Sequence, residues 1–287
     1  MKLKNILNIK ERNLIKKDKL MQKIQTSQKF HNLFIPTNSQ NFDGILGNGF
    51  LVGAKYLMFG ANRTGKTQFA HHICVQFYKV LQNSSFKKQI SKKYNLQEEF
   101  IFDEGRIYFL DCENTFRPER IEGIATAQNL PYMEILNMIQ VSKIYNLNAL
   151  LKKIKEIRKI PSDRKPLLLI IDSINKYYRG GITDEMLTFH KTQELMKELL
   201  TEIHMLHETT RVSILATAQV SAVFAEEALI KELPTGNRFL NQIFSEYVYL
   251  QVDDRDLRYA QLVNSSRFPE KRLRFQLTEK GIEDYNI

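Results

Sequence analysis

Short apolar runs and amphipathic stretches alternate along this chain, and their spacing predicts an α/β fold. Residues 55–59, KYLMF, read as a strand, and the glycine-rich turn after them leads into a helix over 66–82. Strands follow at 106–110, RIYFL, and at 167–171, LLLII; the second is apolar on both faces, as in the middle of a parallel sheet. Between them ALLKKIKEIRKI, 149–160, puts Leu150, Ile154, Ile157 and Ile160 on one helical face. A long helix is predicted over 184–208 and a short strand over 212–217, VSILAT. Residues 246–252 and 258–263 alternate like exposed edge strands, and a basic strand is expected at 271–276. Strands separated by helical segments indicate a mainly parallel central sheet flanked by helices.

Ahead of this core, residues 36–53 are rich in turn formers and read as a connector. Residues 1–30 scatter Leu3, Ile6, Leu7, Leu14 and Leu20 among lysines, too irregularly for an amphipathic helix. The expected division is a basic leader, 1–35, and one α/β core, 36–287. Charge sharpens that division. Of the formal net charge of +10, most lies in the first 29 residues, where nine Lys and Arg face Glu11 and Asp18. A second acid-free block holds Lys79, Lys87, Lys88, Lys92 and Lys93. Each block suits either the neutralisation of nucleic-acid phosphates or a solvated surface.

With 43% hydrophobic and 26% charged residues, the composition excludes collagen-like and wholly disordered classes. Cys74 and Cys112 are too few for a disulfide framework and read as reduced thiols of an intracellular protein. The opening segment lacks the apolar run of a signal peptide, and no stretch approaches the length of a membrane span. His71, His72, His190, His204 and His207 form no metal pattern; His204 and His207 share helical spacing but suit a helix surface or core.

Gly60-Ala61-Asn62-Arg63-Thr64-Gly65-Lys66-Thr67 is an uninterrupted G-x4-G-K-T between an apolar strand and a helix, followed by Gln68. Such a loop wraps backbone N–H groups around phosphate oxygens, and the helix N-terminus adds positive potential. Lys66 is expected at the β- and γ-phosphates of ATP, and the Thr67 hydroxyl on Mg²⁺. Asp172 ends the LLLII strand, where a carboxylate would emerge at the sheet's carboxyl edge to hold Mg²⁺ through water, with Ser173 beside it. From the residues alone, Glu113 is either the carboxylate that positions the attacking water or an acid that merely follows a strand. Asp111 is a candidate to satisfy nearby backbone groups. Gln219, after VSILAT, is either a sensor of the γ-phosphate or a plain strand-end amide.

GANRTGKTQ, DCENTFRPER at 111–120, LLLIIDSINKYYR at 167–179 and ATAQV at 216–220 resemble the ATPase core of the RecA/RadA recombinase family, in its archaeal RadA and eukaryotic strand-exchange branch. FDGILGNGF at 42–50 and PTGNRFLNQI at 234–243 extend the resemblance, which covers roughly residues 40–282. It implies a RecA-like phosphate-loop fold assembling head to tail with ATP between subunits. It makes Lys66, Glu113 and Gln219 the catalytic set and Thr67 and Asp172 the Mg²⁺ residues. Residues 60–68 then hold the nucleotide, and Pro269, within NSSRFPE, caps it from a neighbouring subunit. Arg117 and Arg120 match basic positions that serve helix packing or the subunit interface. The implied partners are single- or double-stranded DNA and further copies of this chain or a RadA-like recombinase, with no membrane. The implied compartment is the cytoplasm or nucleoid of a prokaryote or the nucleus of a eukaryote.

The chain also departs from that pattern. Asp184 and Glu185 fall where the family is glycine-rich and basic, beyond the matching Arg179, and Asn264 falls where it commonly has an acid. Residues 220–233, VSAVFAEEALIKEL, suit an apolar-acidic helix, with Phe224 either a wedge between bases or a packing residue. The family's N-terminal helical domain and its aromatic-x-x-Ala tether are not evident. These features favour a paralogue assisting recombination and repair as a DNA-stimulated ATPase. Full strand exchange and a nucleotide-gated protein-binding module are the alternatives.

Overall fold

The computed structural model describes residues 33–180, 189–222, 232–265 and 267–285, with side chains left aside at 179 and 180. The basic leader therefore falls almost wholly outside the described residues, as do Asp184, Glu185 and Phe224.

The chain enters through β1 (Phe34–Ile35), α1 (Gln40–Leu46) and β2 (Phe50–Leu51), with β1 and β2 paired antiparallel. Then come β3 (Lys55–Phe59), α2 (Lys66–Leu81), α3 (Ser84–Tyr94), β4 (Ile107–Asp111), α4 (Pro118–Ala127), α5 (Tyr132–Met138) and β5 (Ile139–Lys143). The middle of the chain forms α6 (Leu147–Lys159), β6 (Leu168–Asp172), α7 (Lys176–Gly180), α8 (Phe189–Thr210), β7 (Ser213–Ala218), β8 (Val220–Ala222) and β9 (Glu232–Pro234). It ends with α9 (Asn237–Leu240), β10 (Glu246–Val252), β11 (Arg258–Ser265), β12 (Lys271–Thr278) and β13 (Gly281–Asp284).

A nine-stranded sheet in the order β13-β12-β11-β10-β3-β7-β6-β4-β5 organises these elements. It is parallel from β10 to β5 and antiparallel from β10 to β13. Because successive strand residues point to opposite faces, each central strand feeds two apolar layers. One holds Leu57, Leu110, Leu169 and Ile214 against Leu150 and Ile154 of α6 and Leu199 and Ile203 of α8. On the other face α2 packs against β6 and β7. The expected α/β fold with a mainly parallel sheet is the one observed.

Two expectations need correction, and two features had no expectation. Residues 246–252 and 258–263 are not edge strands: β10 lies between β3 and β11, and β11 between β10 and β12. Glu246, a polar position that suggested solvent, is fully buried on Arg267 and Ser265, while Gln251, Arg258 and Gln261 stay half-buried. The basic stretch 79–93 comprises the end of α2 followed by α3, which Asn83 starts by accepting the N–H of Phe86 at 3.0 Å. The outer parallel edge, β5, and the helices α4 and α5 before it were unforeseen. The expected helix over 220–233 gives way at both ends to an antiparallel ribbon of β8 and β9; residues 223–231 lie outside those described.

Candidate active site

The parallel strands β3, β4, β6 and β7 all end at one edge of the sheet, the edge at which α/β proteins place their ligands. The loop after β3 turns at Gly60, where a Cβ would lie 2.2 Å from the Leu250 carbonyl oxygen of β10, so only glycine fits. Gly65 is the N-cap of α2 and carries no side-chain cap, leaving the helix's first N–H groups directed at the space before it. Lys66 folds back over the loop, its Nζ donating to the carbonyls of Gly60 at 2.8 Å and Ala61 at 2.7 Å. Thr64 donates to the same Ala61 carbonyl, while Asn62 and Arg63 stand exposed at the rim.

A cavity of about 260 Å³ opens on this loop, and Lys66, Thr67, Glu113, Asp172 and Gln219 all reach it. Asn62, Arg63, Gly65 and Gln68 complete its loop side, and Leu277 of β12 adds an apolar wall.

Asp172 is buried and collects hydroxyls. It accepts from Thr67 at 2.7 Å, from Thr115 at 3.0 Å and from Thr217. Burial raises its pKa above the usual carboxylate range, against these three bonds, and the nearby Glu113 adds to the rise. Asp111 plays the backbone role considered for it, accepting the N–H groups of Glu113, Thr115 and Phe116 at 3.0–3.2 Å. That arrangement folds the ENTF turn so that Glu113 faces the cavity. Ser173, next to Asp172 in the chain, donates to Glu113 at 2.7 Å, and the Nε2 of Gln219 lies 3.5 Å from the same Glu113 oxygen.

Several contributors were missed in the sequence. Thr115 and Thr217 lie within the quoted motifs and could have been found by seeking hydroxyls near a buried acid. Asn175 gave no local signal. Fully buried, it accepts the Gln219 N–H at 2.9 Å and donates to the carbonyls of Gln219 and Thr235 at 2.8 and 3.0 Å, binding the end of β7 to the base of the β8–β9 ribbon. His71 spans α2 and the ENTF turn. Its Nε2 accepts the Arg117 N–H at 3.0 Å, so Nδ1 carries the proton donated to the Thr67 carbonyl at 2.7 Å. Burial holds its pKa below the ordinary histidine value, consistent with that neutral tautomer.

Arg120 bonds Gln68 at 2.6 Å and the Thr278 carbonyl at 2.7 Å, which ties α4 to α2 and to the end of β12. The guanidinium of Arg117 turns to the carbonyls of its own turn, Asn114 and Phe116. Pro269 is not brought to the cavity: it is exposed between β11 and β12, at the opposite edge of the sheet.

The donor set suits a magnesium nucleotide. Among the described residues no cluster of His, Cys, Asp and Glu forms a cage for a metal. One hydroxyl and one carboxylate below an uncapped helix N-terminus match a Mg²⁺ that keeps waters and leans on phosphate oxygens.

Comparison with known proteins agrees with this architecture. The chain is 26% identical over 250 residues to the DNA repair and recombination protein RadA of Cenarchaeum symbiosum, covering 87% of this chain and 58% of that protein. It is 28% identical over 256 residues to the meiotic recombination protein DMC1 of Saccharomyces cerevisiae, covering 87% of this chain and 71% of that one. It is 24% identical over 261 residues to the DNA repair protein RAD51 homolog B of Zea mays, covering 90% and 72%. The family model for Rad51 matches residues 28–285, which hold every strand of the nine-stranded sheet and every residue lining the cavity, and the chain thus belongs to the Rad51 family.

Proposed function

We propose that this chain binds ATP with Mg²⁺ and hydrolyses it, using nucleotide turnover to control attachment to DNA in recombination and repair. The observation that carries this reading is the convergence of Lys66, Thr67, Glu113 and Asp172 on one cavity at the mouth of the phosphate loop. Lys66 and the N–H groups of residues 60–68 hold the phosphates. Thr67 and Asp172 hold Mg²⁺, which when bound neutralises charge on the phosphate oxygens.

Glu113 orients a water toward the γ-phosphate and takes its proton as the phosphorus–oxygen bond forms and ADP leaves. Ser173 fixes the carboxylate for that task. Gln219 sits between Glu113 and β8, so a change at the γ-phosphate reaches the ribbon through Asn175. Pro269 serves a neighbouring subunit's nucleotide in a head-to-tail homo- or hetero-oligomer, and its distance from its own chain's cavity is compatible with that.

The acids at Asp184, Glu185, Glu226 and Glu227 favour an intracellular accessory paralogue over the main strand exchanger. No described helix is long and apolar enough to cross a membrane.

The test is ATP turnover with and without single-stranded DNA. Glu113→Gln should keep ATP binding and slow hydrolysis by about 100-fold or more, and Lys66→Ala should weaken binding itself. Unchanged DNA-stimulated turnover in Glu113→Gln at saturating ATP refutes the catalytic assignment. Joint-molecule formation by the chain alone would replace the accessory reading with strand exchange.

A further inference from the structure

The lysines of the block 79–93 have separate fates. Lys79 donates to Gln128 at 2.9 Å, Lys87 lies 3.9 Å from Glu98, and Lys88 and Lys92 face solvent. Lys93, in the last turn of α3, points inward. Its Nζ donates to the Val52 carbonyl at 2.7 Å. Burial pulls its pKa down to about 8, and the neighbouring charge acting on it is another cation, Arg211. A lysine that loses water beside a second cation, with only a carbonyl to answer it, lacks a countercharge.

A cavity of about 340 Å³ lies against it, lined by Lys93, Lys165 and Arg211, and none of its lining residues is an acid. Arg211 pairs with Glu208 at 3.2 Å, and Glu208 does not line the cavity, whereas Lys165 has no ion-pair partner among the described residues. Asn95 and Ser162 add an amide and a hydroxyl to the lining, and Leu96 and Leu167 supply apolar wall. Leu167 precedes β6 and Arg211 precedes β7, so this cavity is at the opposite sheet edge from the nucleotide loop.

We propose that this cavity binds a phosphate group between Lys93, Lys165 and Arg211. A tetrahedral dianion can accept from two ammonium groups and a guanidinium at once, which a lone carboxylate does less completely. The volume exceeds that of a bare phosphate, leaving room for a group attached to it. The site is independent of nucleotide hydrolysis and gives the inward-turned lysine of α3 a ligand.

The experiment is a ³¹P NMR titration of inorganic phosphate into the full chain carrying Lys66→Ala, which removes the lysine of the nucleotide loop. Saturable binding is expected. Adding Lys93→Met should weaken it about tenfold or more, the effect of losing one charge-assisted bond. Lys165→Gln, at a side chain only half-buried, should weaken it in the same direction and guards against misfolding of the Lys93 variant. Short oligonucleotides with and without a 5′-phosphate then compete. Displacement by the phosphorylated one alone assigns a terminal phosphate as the source, by both a phosphodiester, and by neither a free phosphate. Absence of binding in Lys66→Ala, or binding unchanged by both lysine substitutions, overturns the proposal.

Discussion

The hydroxyl of Thr67 donates to the carboxylate of Asp172 across 2.7 Å, although 105 residues separate them in the chain. This bond joins the first turn of α2 to the end of β6. It makes the phosphate loop and the acid one unit even though each belongs to a different βα segment. Thr115 and Thr217 bring two further hydroxyls to the same carboxylate from the turn after β4 and from β7. Four sequence-distant segments therefore meet at one buried charge, and each hydroxyl offsets part of its desolvation.

Removing one of those hydroxyls without changing shape tests that arrangement. Thr217 is fully buried, so Thr217→Val should leave the Asp172 carboxylate short of a donor. The expected loss is about 1–3 kcal/mol of folding stability. Urea unfolding reads the change, and a midpoint equal to that of the parent would show that the hydroxyl contributes nothing to Asp172. Affinity for magnesium–ATP should fall in parallel, because the same carboxylate orients Thr67.

Asn175 and Gln219 should behave as one device. Gln219→Ala removes the amide facing Glu113, and Asn175→Ala removes the bonds that hold the Gln219 backbone and Thr235. Each should leave ATP binding in place while lowering DNA stimulation of turnover, about tenfold. Because the residues share one network, the double variant should be little worse than either single one. Fully additive losses would mean that they act separately.

Local chemistry was legible in the sequence, and long-range pairing was not. GANRTGKT is readable because its glycines, lysine and threonine act within one turn, and LLLII because a doubly covered strand is apolar throughout. β10 misled because Glu246 looks like an outward position. Its burial depends on Arg267 and Ser265, about twenty residues further on and brought alongside by β11. α3 was hidden for a different reason. Phe86, Ile90 and Tyr94 recur at helical spacing, but only Ile90 is fully buried and the lysines between them make the stretch read as charge, while the Asn83 cap marks its start. His71 and Asn175 are common residue types whose partners lie on other elements. Nothing at their own positions announces them.

The last strand is sealed to the first helix by a carboxylate. Asp284 accepts the Ser39 hydroxyl at 2.5 Å and the N–H groups of Gln40 and Asn41 at 3.0 and 2.9 Å. Burial alone would raise its pKa, but these three bonds outweigh it and hold the carboxyl below its ordinary 3.8. The folded state therefore favours the ionised form. Its stabilisation is complete above the unfolded pKa and fades as pH falls through the lower folded one. Asp284→Asn should cost about 1 kcal/mol at neutral pH, the scale of a lost helix cap. Melting curves of parent and variant should converge below about pH 3.8. A gap that persists unchanged in acid would assign the effect to packing rather than charge.

His72 closes the same seam from α2 and should set the protein's acid tolerance at milder pH. Its Nε2 lies 2.6 Å from the Thr37 carbonyl and its Nδ1 3.3 Å from the Ile282 N–H, so the ring donates once and accepts once as a neutral imidazole. A Cβ on Gly281 would lie 2.0 Å from Nδ1, which shows how closely β13 approaches the ring. Full burial lowers its pKa from 6.5 to about 4, with Arg120 and Lys79 acting in the same direction. Between those two values the unfolded chain binds a proton that the folded chain refuses, so stability rises with pH across that window and is flat above it. The difference corresponds to on the order of 3 kcal/mol lost between pH 6.5 and pH 4. His72→Gln keeps a donor and an acceptor but has no such proton to refuse. Its stability at neutral pH should be lower, while its slope between pH 4 and pH 6.5 should be shallower than that of the parent. Denaturant unfolding at several pH values measures both, and parallel slopes would show that His72 is not the group that titrates.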